Sequence, residues 1–463
     1  MGALSTGRVT GRFTGRVRVA VLVALVAAQA AALWTTVAPG YGQRGEPVAL
    51  AGLAVGVALW AVSLRVLRGA GRRAGTWVLL GGQVVLVAVA LAAPPAASDD
   101  VYRYVWDGRV QAAGIDPYRH PPLDPALAGV RTDELFPGGR TCSTDHSKGT
   151  GYTEPDCTLV NRPGVRTIYP PVGEAWFWLV SRAGALTGDV RGGVLAFQVA
   201  GALAVAGVGL VLLRRAGPAR AAVWCWFPPV LTGVVNDAHV DGLAVLLTVA
   251  GLLTAGAGRP WRAGALLGAA VAVKITPAVV VPALVRSRWV RVGLAAVAVV
   301  VVGYLPHVIA VGPDVVGYLP GYLSEEGYDG GDRYLLLARV LGPDHAQPVA
   351  LLLVGCLAAA AAWRSDPRAP ERAALLVAGG SLLVVDPAYP WYGLLAVALA
   401  ALAGRPRWAA VALGPALAYS AVRLPGIHDA GLAGWTLAAA VVVVGGLARA
   451  VAGLRNRDGA RAG

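Results

Sequence analysis

The chain has 463 residues, of which 56% are hydrophobic and only 14% charged, and its mean hydropathy is +0.60. Soluble chains carry about 25% charge and reach about 45–50% apolar content only with glycine counted, so a soluble globule is excluded. The formal charge of +14 rests on arginine, because Lys148 and Lys274 are the only lysines among 40 basic residues. These arginines sit in short clusters beside apolar runs, a pattern of orientation in a bilayer rather than of nucleic-acid binding. At about 20 residues per crossing, the chain reads as an all-α polytopic membrane protein. Its Ala/Val/Leu/Gly/Arg bias, with a single Met, is that of a GC-rich bacterial genome, which suggests a bacterial cytoplasmic membrane.

In chain order, a cytoplasmic tail (1–18) holds Arg8, Arg12, Arg16 and Arg18. Three spans follow within 19–93. The first is too long for a signal peptide and lacks a convincing cleavage site, and Arg65, Arg68, Arg72 and Arg73 return the second to the cytoplasm. The third must then exit outward, making 94–190 a large extracytoplasmic loop. Within that loop Glu174–Leu186, with Trp176, Phe177 and Trp178, reads as an interfacial helix. Further spans fill 191–310, among them one helix over Ala221–Val235, and a break near 274–277 lets a segment flanked by arginines at both ends enter and return, the alternative being a single outward span with an external arginine cluster. Broken backbone at membrane depth is tolerated only against protein or a water-filled cavity, so the break marks a cavity. An acidic outer loop (311–347) with Asp314, Glu325 and Glu326 precedes the C-terminal spans (348–448) and a cytoplasmic tail (449–463). Both termini are placed inside.

The residues able to carry chemistry gather on the outer side. The run from Ser98 to Gly114 predicts a short surface helix with Ser98 as its N-cap and Gly114 as its stop. Asp100, Arg103, Tyr104 and Asp107 share one face by three- and four-residue spacing, and Arg109 follows. A carboxylate at a helix N-terminus is held ionised by the aligned peptide dipoles, which suits a general base, although Asp99 and Asp100 would serve equally to cap the helix. Lys274 is the only lysine within a span; it has either an anionic partner there or a snorkelling path to the interface. Asn236, Asp237, His239 and Asp241 cluster at a turn and fit either a metal site or hydrogen bonding to sugar hydroxyls or a lipid phosphate. The second reading is preferred, so no metal is expected. Cys142 and Cys157 fall on the oxidising side and are expected to form a disulfide, whereas Cys225 and Cys356 lie within spans and should stay reduced.

The residues Asp100-Val101-Tyr102-Arg103-Tyr104, Trp106-Asp107-Gly108-Arg109, Pro117-Tyr118 and Tyr169-Pro170-Pro171 together resemble the first outer loop of glycosyltransferase family 87. That family comprises mannosyltransferases of the GT-C superfamily. Asn236-Asp237-Ala238-His239-Val240-Asp241-Gly242, Lys274-Ile275-Thr276-Pro277 and Pro390-Trp391-Tyr392 resemble its later elements. The stretch from Gly138 to Leu159 departs from the pattern. The resemblance implies a GT-C-like bundle of about 12–14 spanning or half-spanning helices with a cavity open to the outer leaflet. It also implies inverting transfer of a sugar, with mannose first, from a polyprenyl-phosphate donor to a glycolipid or glycan acceptor. Asp100, before the Val-Tyr pair, would be the base, with Asp99, Arg103, Tyr104, Asp107 and Arg109 as further catalytic or substrate-binding candidates. Lys274, Asn236, Asp237, His239, Asp241, Tyr169 and Tyr392 would contact donor or sugar. No cofactor is implied, the donor lipid being a substrate, and no nucleic acid. The alternative is a transporter or flippase of a lipid-linked saccharide, which would place its polar groups near the midplane rather than on one side.

Overall fold

A computed structural model describes residues 15–39, 46–137, 158–328, 333–421, 424 and 429–461. Cys142 and Cys157 lie outside the described residues. The described residues form helices and no strands, and seven helices are long and apolar enough to cross a membrane, or eight if a bent pair counts as one span. The protein is thus an all-α, multi-pass membrane protein.

Helices α1 (Gly15–Val37), α2 (Glu46–Arg68) and α3 (Arg72–Leu91) pack together. The segment after α3 carries α4 (Asp100–Ala112) and α5 (Pro171–Gly184), before α6 (Val190–Ala216) returns to the bundle. In place of one helix over Ala221–Val235, the chain forms α7 (Pro218–Cys225) and α8 (Pro228–Asn236). Pro228 and Pro229 lack the N–H groups that would carry α7 onward, and α8 ends in a π-helical turn at Leu231–Asn236. Helix α9 (Asp241–Gly256) follows at an angle of 114° to α8.

Helix α10 (Pro260–Val273) stops where Lys274 takes up extended backbone, and a 3-10 helix runs from Thr276 to Leu284. Pro277 again withholds an N–H at the restart. Gly264 and Gly268 of α10 meet the backbone of α11 (Trp289–Val311), where an added Cβ on Gly268 would lie 2.5 Å from the Ala296 carbonyl. This is the small-residue packing that draws membrane helices together in the absence of a hydrophobic drive between them.

Helices α12 (Leu319–Glu325) and α13 (Leu335–Leu341) lead to α14 (Pro343–Trp363), α15 (Glu371–Val385), α16 (Pro390–Ala403), α17 (Ala410–Ala421) and α18 (Ala430–Arg461). Every residue from Leu394 to Leu402 is buried. A helix apolar on all sides belongs at the centre of a bundle. Helix α11, by contrast, fully buries only Val292, and Val297, Val302 and Ile309 stand exposed. Of the two cysteines within helices, Cys225 is buried, Cys356 is exposed, and both are free thiols.

An apolar cluster joins the segment between α3 and α6 to the bundle. Tyr104 stacks on Phe177, ring centroids 4.3 Å apart, and Val101, Trp106, Val180, Phe197 and Val273 are buried around them. Helices α4 and α5 approach so closely at Gly108 that any Cβ there would run into the Phe177 carbonyl and the Ser181 side chain.

Candidate active site

Helix α4 begins at Asp100, with Asp99 in the N-cap place. The Asp99 carboxylate does not cap the helix, and it is the Ser98 hydroxyl that accepts the Asp100 N–H at 3.3 Å. At the other end Gly114, with φ +78°, supplies the left-handed residue that stops a helix. The segment leading into α4 is pinned from the break between α8 and α9. Asn236 Nδ2 donates to the carbonyls of Ala90, Ala93 and Pro94 at 3.0, 3.1 and 2.9 Å. Asp237 Oδ1 accepts the N–H groups of Ala96 and Ala97, both at 2.9 Å. Ala238, with φ +57°, is a strained non-glycine turn, and it lets Asp237 bond backward while His239 points at α4. Such outliers persist only where the surroundings over-determine them.

Asp100 opens onto a cavity of about 720 Å³, within the ~300–1,000 Å³ usual for ligand sites. Asn161 Nδ2 donates to its Oδ1 at 2.6 Å and to Asp99 Oδ1 at 3.1 Å. His239 Nδ1 stands 3.3 Å from Asp100 Oδ2. That contact is skewed, and neither ring nitrogen of this buried histidine has a well-formed hydrogen bond. The imidazole is stacked on Trp391 at 3.9 Å, and Trp391 in turn on Tyr389 at 4.5 Å.

The two adjacent carboxyls are driven apart. Burial and the neighbouring Asp100 charge push Asp99 up to about 6. Burial alone would also raise Asp100, but the contact with His239 and the charges of His239, Lys274 and Arg162 outweigh it and hold Asp100 below the ordinary carboxylate range. Environments that separate two titrating groups in this way assign them different roles; Asp100 is the one that stays ionised and able to take a proton. The sign of a His239→Gln change follows. Without the imidazole the Asp100 carboxyl rises, so the acid limb of kcat/KM is expected to move to higher pH, while turnover well above that limb changes little. A pH–rate profile of the variant checks this, and an unmoved limb would mean that His239 does not tune Asp100.

On the opposite wall Lys274 Nζ bonds Asp241 Oδ2 at 2.7 Å and lies 4.9 Å from the centroid of the Tyr392 ring. Ile275, Val279, Leu382 and Val385 give this side of the cavity an apolar lining. Of the residues singled out in the sequence, Asp99, Asp100, Arg103, Tyr169, Lys274 and Tyr392 line the cavity, and His239 and Asp241 stand directly behind it in contact with Asp100 and Lys274. The others are placed elsewhere. Asn236 and Asp237 hold backbone, Tyr104 is packed beneath Tyr169, and Arg109 Nε donates to the Val130 carbonyl at 2.7 Å. Asp107 is buried against Arg103, which also donates to the carbonyls of Arg162 and Val165. The structure adds Asn161, Arg162, Glu325, Tyr389 and Trp391 to the cavity wall. Asn161 and Arg162 directly precede Pro163, whose ring restricts the backbone of the residue before it. Among the described residues no three His, Cys, Asp or Glu side chains are grouped to hold a metal.

A model of glycosyltransferase family 87 matches residues 168–387. The match bears out the resemblance to glycosyltransferase family 87. No curated protein and no solved structure matches the chain. The matched residues include Tyr169, the α8–α9 break and Lys274. They begin beyond α4, so the place of Asp100 rests on the geometry above. The match supports a membrane glycosyltransferase.

Proposed function

We propose that the protein transfers a sugar, with mannose the first candidate, from a polyprenyl-phosphate donor to a hydroxyl of a glycolipid or glycan acceptor. The site would face the outer side of a bacterial cytoplasmic membrane, with both chain termini in the cytoplasm. The reading is carried by one observation: the Asp100 carboxylate shares a cavity of about 720 Å³ with the Lys274 side chain and an apolar wall. A carboxylate, a cation and an apolar surface are what a hydroxyl nucleophile, a phosphate leaving group and an isoprenoid chain require. In the proposed reaction Asp100 accepts the acceptor hydroxyl proton as its oxygen attacks the anomeric carbon. The bond from that carbon to the phosphate oxygen breaks, and polyprenyl phosphate departs with the electron pair. The Lys274 ammonium offsets the charge that develops on the phosphate. Attack opposite the leaving group inverts the anomeric centre.

The test is incubation of the purified protein with radiolabelled polyprenyl-phosphate-mannose and a panel of lipid acceptors, with the product linkage read by NMR. A labelled glycolipid of inverted configuration is expected. If no acceptor is labelled but proteoliposomes carry the lipid-linked saccharide across their bilayer, the transporter reading takes its place. Within the transferase reading, Lys274→Met is expected to raise the donor KM at least about tenfold through loss of a charge-assisted contact. That change also strands the Asp241 carboxylate, so the Lys274→Met/Asp241→Asn double variant is measured beside it. A normal donor KM in a well-folded double variant would make Lys274 a structural residue.

A further inference from the structure

The cavity wall carries Arg103, Arg162, Arg166 and Lys274, and these four cations differ in how tightly they are committed. Arg103 is buried and spent on Asp107 and two backbone carbonyls. Lys274 is held by Asp241, whose side chain is only 7% exposed. Arg166 gives its Nε to the Arg119 carbonyl at 3.1 Å and a terminal nitrogen to Asp314 at 3.0 Å, in an open pair 39% and 48% exposed. Arg162 is different. Its Nε donates to both oxygens of Glu325, at 2.9 and 3.1 Å, and its terminal nitrogen donates to Oε1 at 2.5 Å. This is the two-pronged grip by which a guanidinium holds a carboxylate or a phosphate. The gripped carboxylate is 40% exposed and comes from the last residue of α12, 163 positions along the chain.

Several contacts fix the arginine in place. It has φ +45°, its carbonyl accepts from Arg103, and the preceding residue, Asn161, grips Asp100. Its guanidinium lies 5.4 Å from the centroid of the Tyr322 ring, and the Tyr322 hydroxyl is 2.6 Å from that of Tyr392, whose ring lies under Lys274. Arg162 and Lys274 therefore stand at the two ends of a tyrosine pair as two separate positive positions.

We infer that Arg162 is the seat of a second anionic oxygen group of a substrate, a lipid phosphate, and that Glu325 occupies this seat in the empty protein. The difference in exposure sets the Arg162 pair apart from the Lys274 pair, and the two-pronged grip on Glu325 and the Asn161 link to Asp100 set Arg162 apart from Arg166. Releasing Glu325 gives up this grip and the Tyr318 hydroxyl at 3.0 Å, but it returns a half-exposed carboxylate to water, where exposed charges are well solvated, and an incoming phosphate takes up the same two-pronged grip. Releasing Asp241 from Lys274 would leave a buried charge uncompensated, which is strongly unfavourable. The inference deepens the transferase reading and rests on it for the identity of the cavity. The phosphate belongs either to the prenyl donor or to a phospholipid-anchored acceptor, and binding separates the two.

Tryptophan-fluorescence titrations of the full chain in detergent would use farnesyl phosphate and didecanoyl phosphatidic acid, with farnesol and didecanoylglycerol as uncharged partners. Arg162→Gln is expected to weaken one of the two phosphates about tenfold or more, and Glu325→Gln to tighten the same one several-fold by removing its competitor. Neither change should move the uncharged lipids. The phosphate that responds is the one seated on Arg162. Unchanged phosphate binding in Arg162→Gln, or weaker binding in Glu325→Gln, overturns the inference. If Arg162→Gln does not fold, Glu325→Gln decides alone, and unchanged or weaker phosphate binding overturns the inference there too. Because binding is read without transfer, a protein that seats phosphate on Arg162 but moves no sugar would sink the proposed function and leave this site standing.

Discussion

Asp100→Asn is expected to lower turnover by about 10²–10⁴-fold, the usual effect of removing a general base, with the protein still folded. The amide keeps the shape of the carboxylate but cannot accept the acceptor proton. The neighbouring Asp99 is no substitute. Its carboxyl is pushed up to about 6 by burial and the Asp100 charge, and it has only the longer of the two Asn161 contacts and no contact with His239. Asp99→Asn should therefore have the smaller effect, exerted partly through Asn161. Single-turnover rates for both variants, each with a thermal unfolding curve to show folding, check the order. A near-normal Asp100→Asn beside an inactive Asp99→Asn would move the base to Asp99.

Much of the scaffold was open to inspection in the sequence, because the signals involved are local. An apolar run of twenty residues between arginine clusters has few readings. A lysine followed by Ile-Thr-Pro inside such a run conflicts with an unbroken membrane helix, and the chain does leave helical geometry at Lys274. The site itself was legible only in part. Asp100 meets Asn161 across 61 positions and His239 across more, and no periodicity connects residues so far apart. Asn236 and Asp237 look like sugar-binding groups because they are polar and stand at a turn. A chain that breaks inside a bundle must also satisfy the backbone it exposes, and these two side chains do that. The role of Glu174 was not legible either. Its aromatic neighbours suggest a helix lying at the interface, yet its carboxylate turns inward to Thr167 and Gln111 at 2.6 and 2.8 Å.

That inward turn buries a second acid beside Asp107, and Arg103 is the cation next to Asp107. Asp107 and Glu174 are both buried, and Arg103 Nε bonds both oxygens of Asp107 at 3.0 Å. Burial pushes both carboxyls upward, against the pull of Arg103 in each case, and the Asp107 charge drives Glu174 further. Arg103→Met removes the cation and leaves the acids, an uncompensated burial that costs about 3–5 kcal/mol. It also frees the carbonyls of Arg162 and Val165, so the segment that presents Asn161 to Asp100 should loosen and turnover should fall with stability.

The pH dependence has a definite sign. A carboxyl whose folded pKa is raised keeps its proton in the native state while the unfolded chain gives it up, so stability falls as pH climbs above the unfolded value. Removing Arg103 raises both acids further. The stability gap between Arg103→Met and the parent should therefore widen between about pH 5 and pH 8. The double variant Arg103→Met/Asp107→Leu, which removes the stranded charge with its partner, should recover much of the loss, since a buried pair replaced whole by apolar groups is often tolerated. Thermal unfolding of the three proteins in detergent at the two pH values decides the matter. An Arg103→Met protein as stable as its parent at both would show that the acids are neutralised by some other group, and that the segment carrying Asn161 does not depend on this arginine.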